Sequence, residues 1–388
     1  MATLPELPEL PDLPELARLR SLAGVKWTRY SPDVLPAWVA DMDLPPFPGA
    51  VDAVRDLVER GDFGYSFAAT AALPEAYATW QRESHGWAPD PAEVRVFCDV
   101  LQAVDAALML RTAPGDGVVL LTPVYPPFFR VVESVGRRVI DCPLEPGTWT
   151  LDRERLESVI DDRTTAILLC DPHNPTGRAF TRDELDAIAG VAERHDLLVI
   201  SDEIWSDLVF APGEHVPFAS LGEDAAGRTV TVSSASKAFN LAGLRCAVAH
   251  VGDARLRDGL AALPDHLLGA VGTPGAVAAL AAWTGGREWL EGTRAFLSGQ
   301  REHAAERLAD RLPAIGVTIP EATYLLWLDM RALGLGDDPA AWLLEHARVA
   351  LSPGPDFGPH GRGYARLNLA TSRSVLDAIL DRIEGVLR

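Results

Sequence analysis

Short apolar runs alternate with longer amphipathic stretches from about residue 51 to residue 285. Six of these runs have the length of buried strands, and they lie at residues 118–121, 138–141, 166–170, 197–200, 229–233 and 247–251. Helical periodicity fills most of the gaps, for example over residues 181–195, where Thr181 is a candidate N-cap and Glu184 follows three positions later. This alternation predicts an α/β fold in which a mostly parallel sheet is covered by helices.

The two ends of the chain follow a different pattern. A long helical pattern over residues 286–312 leads into two or three strand candidates and a closing helix over residues 374–387. Prolines punctuate the first twenty residues and remove amide donors, so we expect a poorly ordered arm there; packing of this arm across a second subunit is the alternative. These features predict a small α+β domain built from both chain ends.

We therefore divide the chain into three parts. Residues 1–50 form the N-terminal arm and part of the small domain, residues 51–285 form the large domain, and residues 286–388 form the C-terminal small domain. A chain of 388 residues with 48% hydrophobic residues is long enough to bury a large core in two such domains.

The composition also excludes several classes of partner. A net charge of -20 argues against binding to nucleic acid or to an anionic membrane surface. No apolar run approaches membrane-spanning length, and no P-loop, dinucleotide fingerprint or His-Glu-x-x-His metal site is present in the sequence. The cysteines lack metal-ligand spacing and predict reduced core thiols in a cytoplasmic protein; they are Cys98, Cys142, Cys170 and Cys246.

Lys237 is the strongest candidate for a chemically active side chain. It follows the strand-like run of residues 228–233 and lies in the segment Ser234-Ala235-Ser236-Lys237. A lysine on its own is usually a solvated surface charge. Here Ser234 and Ser236 offer hydroxyl donors, and Arg245, eight residues later, can bind a phosphate with two parallel hydrogen bonds. Such an electropositive, partly buried pocket would lower the pKa of an amine and let it condense with an aldehyde.

Two polar residues follow other predicted strands. Asp202 ends an apolar run and is expected at the carboxyl edge of the sheet, where open α/β sheets bind ligands. A buried carboxylate there needs a partner such as a protonated pyridine nitrogen, although capping of the next helix is the simpler alternative. Asn174 enters a loop after residues 166–170, and its amide can donate to a phenolate, although Asn-Pro-Thr-Gly is by itself usually a turn. Together with Lys237, these groups match the needs of pyridoxal 5′-phosphate.

The order and spacing of Asn174, Asp202, Lys237 and Arg245, with Arg366 near the end, resemble fold-type I pyridoxal phosphate enzymes of the aminotransferase class I/II group. The resemblance covers the chain from about Trp38 to the C-terminus and implies the aspartate aminotransferase-like fold. Within this group, four segments resemble the MalY/PatB-type carbon–sulfur lyases, namely residues 35–43, 63–66, 171–177 and 322–329. The most specific of them is Trp-Val-Ala-Asp-Met-Asp at residues 38–43.

The resemblance implies further cofactor contacts. Tyr125 matches the aromatic residue that stacks on the cofactor ring, although core packing is the alternative. The backbone amides of Val100 and Leu101 would meet the phosphate at a helix N-terminus. The segment Asp99-Val100-Leu101-Gln102 departs from the Gly-rich form of the group, so the role of the Gln102 side chain stays open. Tyr65 matches a tyrosine that reaches the partner subunit's site, which implies a homodimer with shared active sites.

Substrate contacts are also implied. Arg366 lies on an alternating strand, where an inward-facing guanidinium needs an anion; a substrate α-carboxylate is one, and a structural salt bridge is the alternative. Aromatic and imidazole side chains are candidates for the entrance or for simple packing, namely Trp38, Trp205, Tyr324 and His173.

These roles imply a mechanism. The amine of Lys237, once released from the cofactor by an amino-acid substrate, would remove the α-proton as a general base. Loss of a thiolate from the β-carbon then yields pyruvate and ammonia, whereas protonation at the cofactor yields transamination. Because residues 38–43 favour the lyases, we expect a β-lyase for cystathionine or a related cysteine S-conjugate. The alternatives are an aminotransferase and, from a different class, a regulatory protein that binds the cofactor.

Overall fold

The computed structural model describes residues 13–65 and 67–388. The Pro-rich segment of residues 4–11 lies outside this range, as does Ser66.

The strands of the described chain are short and lie at the following positions: β1 Leu35–Pro36, β2 Val94–Phe97, β3 Gly117–Thr122, β4 Arg138–Pro143, β5 Thr164–Cys170, β6 Leu198–Asp202, β7 Thr229–Ser233, β8 Ala247–Val251, β9 Gly316–Val317, β10 Leu325–Asp329, β11 Val349–Ala350, β12 Ser352–Pro353 and β13 Tyr364–Asn368.

The helices range from single turns to 25 residues. They are α1 Leu16–Leu19, α2 Val25–Thr28, α3 Pro48–Arg60, α4 Phe67–His85, α5 Val100–Arg111, α6 Pro127–Ser134, α7 Arg153–Ser158, α8 Arg182–Arg194, α9 Glu223–Gly227, α10 Ala254–Ala262, α11 Asp265–Leu268, α12 Thr273–Gly285, α13 Arg287–Arg311, α14 Pro339–His346 and α15 Arg373–Leu387.

The larger sheet has the strand order β2-β8-β7-β6-β5-β3-β4. Strands β7, β6, β5, β3 and β4 are parallel, and β8 runs antiparallel to both β2 and β7. All six strands predicted from the apolar runs are present in this sheet. The prediction missed β2, whose four residues pair only with β8. The predicted α/β class with a mostly parallel sheet is confirmed.

Alternate residues of the central strands enter two separate cores. Leu168 packs into one core with residues of α5, α6 and α10, whereas Leu169 packs into the other with residues of α7 and α8. This arrangement follows from the two-residue period of a strand, because successive side chains point to opposite faces. Helix α8 begins with the predicted capping box, in which Thr181 and Glu184 bond each other's backbone amides.

A second sheet has the order β12-β13-β10-β9 and is antiparallel, and β1 forms a separate parallel pair with β11. Strand β1 thus links the beginning of the chain to its C-terminal part. The predicted long helix and closing helix are present as α13 and α15. There are more strands here than the two or three predicted, because two-residue strands such as β9 and β12 show no periodicity in the sequence. The domain boundaries remain a prediction.

None of the helices within residues 13–65 and 67–388 is both long and apolar enough to cross a membrane.

Candidate active site

A cavity of about 150 Å³ lies at the carboxyl ends of the central strands, where parallel sheets commonly bind ligands. Its lining comes from chain segments that are far apart in the sequence. Seven of the predicted site residues line it, namely Val100, Leu101, Tyr125, Ser234, Ser236, Lys237 and Arg245.

Lys237 places its amine in a desolvated position at this cavity. Its Nζ donates a hydrogen bond to the carbonyl oxygen of Ala40 at 2.8 Å and lies 5.6 Å from the centre of the Trp205 ring. Burial lowers the pKa of Lys237 to about 8, and the charge of Arg366 acts in the same direction, while Asp41 and Asp202 oppose the shift. Since its ordinary pKa is 10.5, the amine is more readily deprotonated near neutral pH than a surface lysine.

Asp202 ends β6 and is 2% exposed. Burial raises the pKa of this carboxyl to about 7, although the hydrogen bond from the amide of Ile204 and the charge of Lys237 lower it. That amide donates to Oδ1 at 3.1 Å. No ion pair to Asp202 is formed within the described part of the chain, so this carboxylate is a suitable partner for a cationic ring nitrogen.

One end of the cavity is rich in donors. Ser234 and Ser236 hold their hydroxyl oxygens 3.0 Å apart, and Ser234 Oγ donates to the carbonyl oxygen of Cys246 at 2.6 Å. Asp99 caps α5 by accepting from the amide of Gln102, which leaves the first-turn amides of Val100 and Leu101 at the cavity. Such a cluster of hydroxyls and helix N-terminal amides fits a phosphate group.

The side chain of Gln102, whose role the sequence left open, turns to the protein instead. Its Oε1 accepts from the amide of Cys98 at 2.8 Å, and its Nε2 donates to the carbonyl of Leu268 at 2.6 Å. Gln102 thus holds the chain just before α5. Arg245 lines the cavity with its guanidinium paired to the carboxylate of Asp99, so a phosphate would have to compete for this group.

Arg366 is buried among neutral acceptors. Its Nη1 donates to Asn174 Oδ1 at 2.7 Å, and its Nη2 donates to the carbonyl of Trp38 at 2.9 Å and to Ser352 Oγ at 3.0 Å. Its Nε has no partner in the described residues. Burial lowers the pKa of Arg366 to about 10. Arg366 therefore forms no salt bridge with any of the described residues, and the site favours an added anion.

The segment of residues 38–41 presents its carbonyls to these side chains. Trp38 accepts from Arg366, Ala40 accepts from both Lys237 and the Tyr324 hydroxyl, and the Tyr324 bond is 3.1 Å long. The Nδ2 of Asn368 donates at 2.7 Å to the carbonyls of both Val39 and Asp41. The most specific sequence segment is thus the one whose backbone positions the lysine and the arginine.

Sequence reasoning missed Ser352 and Asn368 as parts of this site. Asn368 lies two positions after Arg366 on β13, so it shares a face with Arg366, and this spacing was a usable signal. Ser352 is opposite Arg366 on the short strand β12, and only the strand register reveals this.

A buried ion pair anchors the same segment. Lys26 Nζ lies 2.8 Å from Asp43 Oδ2, and both side chains are almost fully buried. Lys26 also donates to the carbonyl of Asp41 at 3.0 Å, and the indole of Trp27 donates to Asp43 Oδ1 at 2.8 Å. Helix α2 thereby fixes residues 38–43 against the site.

The aromatic candidates differ in their placement. Trp205 and Tyr324 are buried with their rings 4.8 Å apart, whereas Trp38 is half-buried with the guanidinium of Arg29 4.9 Å from its ring. Tyr125 is half-buried at the cavity, and burial raises its pKa.

His173 is fully buried and does not line an entrance. Its ring nitrogens lie 2.9 Å from Thr176 Oγ1 and 3.1 Å from the carbonyl of Leu121. Packing, the alternative considered for this residue, is therefore its role in the structure.

Tyr65 is a predicted site residue that does not line the cavity. It is fully exposed and borders an apolar groove of about 960 Å³ together with Phe63 and Phe67, which are 69% and 87% exposed. A contact of Tyr65 with a second subunit stays a prediction.

The donor set fits pyridoxal 5′-phosphate. The structure combines a desolvated amine, a buried carboxylate that has no ion-pair partner among residues 13–65 and 67–388, and hydroxyl and amide donors around a small cavity. These groups match the aldehyde, the pyridine nitrogen and the phosphate of that cofactor.

Fold and site together define an α/β protein with a cofactor cavity at the carboxyl edge of its sheet. The aminotransferase class I and II family model matches residues 39–383, so the chain belongs to this family. Cystathionine beta-lyase PatB of Bacillus subtilis is 35% identical over 373 residues, which cover 94% of this chain and 96% of that protein. The cystathionine beta-lyase of Corynebacterium glutamicum is 34% identical, with the same coverage of 94% and 96%.

A solved structure shows the same architecture. Cystalysin from Treponema denticola, which contains a pyridoxal 5′-phosphate cofactor, superimposes with a TM-score of 0.92 at 29% identity. The match covers 97% of this chain and 98% of cystalysin. The predicted aspartate aminotransferase-like, fold-type I architecture is therefore confirmed.

Proposed function

We propose that this protein is a pyridoxal 5′-phosphate-dependent carbon–sulfur β-lyase that converts cystathionine or a related cysteine S-conjugate into a thiol, pyruvate and ammonia. One observation of the structure supports this proposal more than any other. The backbone of residues 38–41 accepts hydrogen bonds from both Lys237 and Arg366, the two side chains that a reaction at an amino-acid α-carbon needs. The lyase relatives, matched over nearly the whole chain, support the same assignment.

The cofactor would be held through its aldehyde, its ring and its phosphate. Lys237 would bind it covalently through Nζ, Asp202 would pair with its ring nitrogen, and the donors of Ser236 and the first turn of α5 would hold its phosphate. Asn174 keeps its Nδ2 available for the ring oxygen, because its Oδ1 accepts from Arg366. Tyr125, at the cavity wall, would stack on the ring. When bound, pyridoxal 5′-phosphate supplies an aldehyde that condenses with amines and a ring that withdraws electrons from the substrate α-carbon.

The residues of the chain would then bind the substrate and move one proton. Arg366 would bind the α-carboxylate, which supplies the anion that its buried guanidinium lacks. Lys237 would accept the α-proton at Nζ, and its lowered pKa makes a neutral amine available near pH 8. Tyr324 and Trp205 are buried beside Ala40 and Lys237, where they would exclude water from the amine.

The aminotransferase alternative uses the same residues up to the proton transfer. It differs in the fate of the β-substituent, since a lyase expels a thiolate and a transaminase returns the proton to the cofactor. The regulatory alternative receives less support, because the chain carries a net charge of -20 and no basic segment suited to nucleic acid.

Product formation without a keto acid tests the proposal. The purified protein with bound cofactor should release pyruvate and homocysteine from cystathionine steadily, because elimination restores the aldehyde form at every turnover. The matched control supplies an amino donor with and without a keto acid. Amino-group transfer that stops after one equivalent and resumes only on addition of a keto acid would favour the aminotransferase.

We also infer a homodimer with shared active sites, located in the cytoplasm. Exposed aromatic side chains beside an apolar groove, with Tyr65 among them, support a self-association surface. Sedimentation analysis should give twice the chain mass of 41.8 kDa. Tyr65→Ala should weaken cofactor binding if this residue reaches the partner's site, and unchanged cofactor affinity in a dimeric Tyr65→Ala variant would contradict the shared site.

A further inference from the structure

Two cysteines lie directly beyond the end of the β2–β8 ladder. In this antiparallel pair, Val96 is opposite Val248 and Phe97 is opposite Ala247. Cys98 directly follows β2 and Cys246 directly precedes β8, so an extension of the same register by one residue would pair them. Opposed residues of an antiparallel pair share a face and have Cα atoms roughly 4.5–5.5 Å apart. This separation lies within the range that a disulfide spans.

Both thiols also reach the cofactor cavity. Cys98 and Cys246 line it, and all four cysteines are free. Cys98 is half-buried and its sulfur is therefore partly accessible to an oxidant, whereas Cys246 is 7% exposed. Cys142 on β4 and Cys170 on β5 are buried on strands that do not pair with each other, and they provide internal controls.

The two cysteines are sequence neighbours of groups at the phosphate end of the cavity. Cys98 precedes Asp99, the cap of α5, and Cys246 follows Arg245, whose guanidinium pairs with Asp99. The carbonyl oxygen of Cys246 accepts a hydrogen bond from the Ser234 hydroxyl. A bond between the two sulfur atoms would therefore tie together the two backbone segments that carry the phosphate donors.

We propose that Cys98 and Cys246 form an intramolecular disulfide when the cavity lacks its cofactor, and that this bond weakens the binding of pyridoxal 5′-phosphate. In the thiol form, the Cys98 sulfur lies 3.6 Å from the carbonyl of Ala270. A bond to Cys246 removes the Cys98 thiol hydrogen and with it the contact to Ala270, and it restrains the segment just before α5, whose first-turn amides lie at the cavity. This coupling between the disulfide and cofactor binding rests on the phosphate site of the proposed function.

The oxidant is a small-molecule disulfide. The Cys98 thiolate attacks one sulfur of this molecule, a mixed disulfide forms and the first small thiolate leaves. The Cys246 thiolate then attacks the Cys98 sulfur and the second small thiolate leaves, so that two protein thiols and one disulfide become one protein disulfide and two small thiols. Burial raises the pKa of Cys246 to about 12, and the nearby Cys98 adds to this, so the second step is slow.

Peptide mapping after treatment with oxidised glutathione tests the pair in the full-length protein, with and without saturating pyridoxal 5′-phosphate. After blocking of free thiols, trypsin should release residues 96–111 joined to residues 246–255, with the combined mass lowered by two hydrogen atoms. We expect bound cofactor to lower the fraction of crosslinked protein at equilibrium, and we expect the crosslink to weaken cofactor affinity about tenfold or more, because linkage between the two equilibria is reciprocal. Reduction should restore affinity.

Each variant is compared with its own reduced form. Cys98→Ser and Cys246→Ser should each abolish the crosslink and the change in affinity, whereas Cys142→Ser should behave as the natural sequence does. If glutathione remained on Cys98 and no disulfide to Cys246 formed, the proposed pairing of the two cysteines would be wrong. A complete crosslink with unchanged cofactor affinity would overturn the coupling. A reduced protein that binds no cofactor at all would instead refute the proposed function, while the peptide map would still decide the pairing.

Discussion

Arg366→Met should remove substrate binding while leaving the folded state almost as stable as before. The guanidinium is 5% exposed, and its hydrogen-bond partners in the described chain are all neutral. Burial lowers its pKa from 12.5 to about 10, which corresponds to an unfavourable charge burial of about 3 kcal/mol. Because the shift is downward for a cation, this cost is present at all pH values below about 10 and disappears only as the pH rises through 12.5.

Methionine relieves that cost but leaves acceptors without a donor. Asn174 Oδ1 and Ser352 Oγ each lose a hydrogen bond worth about 1 kcal/mol, whereas the Trp38 carbonyl keeps the bond from the Ser352 hydroxyl. The two contributions oppose each other and are of similar size. We therefore expect the free energy of unfolding to change by less than about 2 kcal/mol.

Activity should respond very differently. Loss of a buried charge pair with the substrate carboxylate costs roughly 2 to 5 kcal/mol, so kcat/KM should fall by about 30-fold to several thousand-fold for any amino acid. Urea unfolding gives the stability, and pyruvate release from cystathionine gives kcat/KM.

Arg178→Met is the matched control. Arg178 is equally buried but forms two 3.0 Å bonds with Glu184, whose pKa these bonds lower to about 2 against the opposing effect of burial. Its removal leaves a buried carboxylate unpaired and should cost about 3 to 5 kcal/mol of stability. If Arg366→Met were as destabilising as Arg178→Met, or left kcat/KM unchanged, Arg366 would be structural and the reasoning would be refuted.

Four further predictions concern the lysines and Asp202. Borohydride reduction of the protein with its cofactor should label Lys237 in the peptide of residues 229–245, and a label on Lys26, the only other lysine, would contradict the assignment. Without cofactor, reductive methylation of Lys237 by formaldehyde should rise with pH to a midpoint near 8 because burial lowers its pKa, and a midpoint near the ordinary 10.5 would exclude this effect. Asp202→Asn should still bind the cofactor but lose about a thousandfold in turnover, because an amide cannot hold the ring nitrogen protonated. Pyruvate release measures this turnover, and a near-normal value would remove Asp202 from the mechanism. Lys26→Met should lower the free energy of unfolding by about 3 to 5 kcal/mol, because it leaves the buried carboxylate of Asp43 unpaired. The double variant Lys26→Met with Asp43→Asn should lose less stability. Equal urea midpoints for the two variants would show that the unpaired carboxylate is not the cause of the destabilisation.

The sequence alone determined the six strands of the larger sheet that follow from its apolar runs, and several of the longer helices. Apolar runs such as residues 166–170 and 197–200 predicted the central parallel strands, because burial on both faces leaves a local signature. Asp202 was placed at the end of its strand for the same reason, and the spacing of Lys237 and Arg245 indicated the cofactor chemistry. The capping box at Thr181 also needed only neighbouring residues, because its hydrogen bonds close within one helical turn.

Only the tertiary structure decided which distant groups meet. The carbonyls of residues 38–41, the hydroxyl of Ser352 and the placement of Cys98 and Cys246 at one cavity depend on strand register and on backbone direction, for which the sequence carries no local pattern. The same holds for Arg366, since a buried arginine with an ion pair and one without are alike in sequence. The physical reason is that local periodicity reports burial of a segment, whereas contacts between segments follow from how the whole core packs.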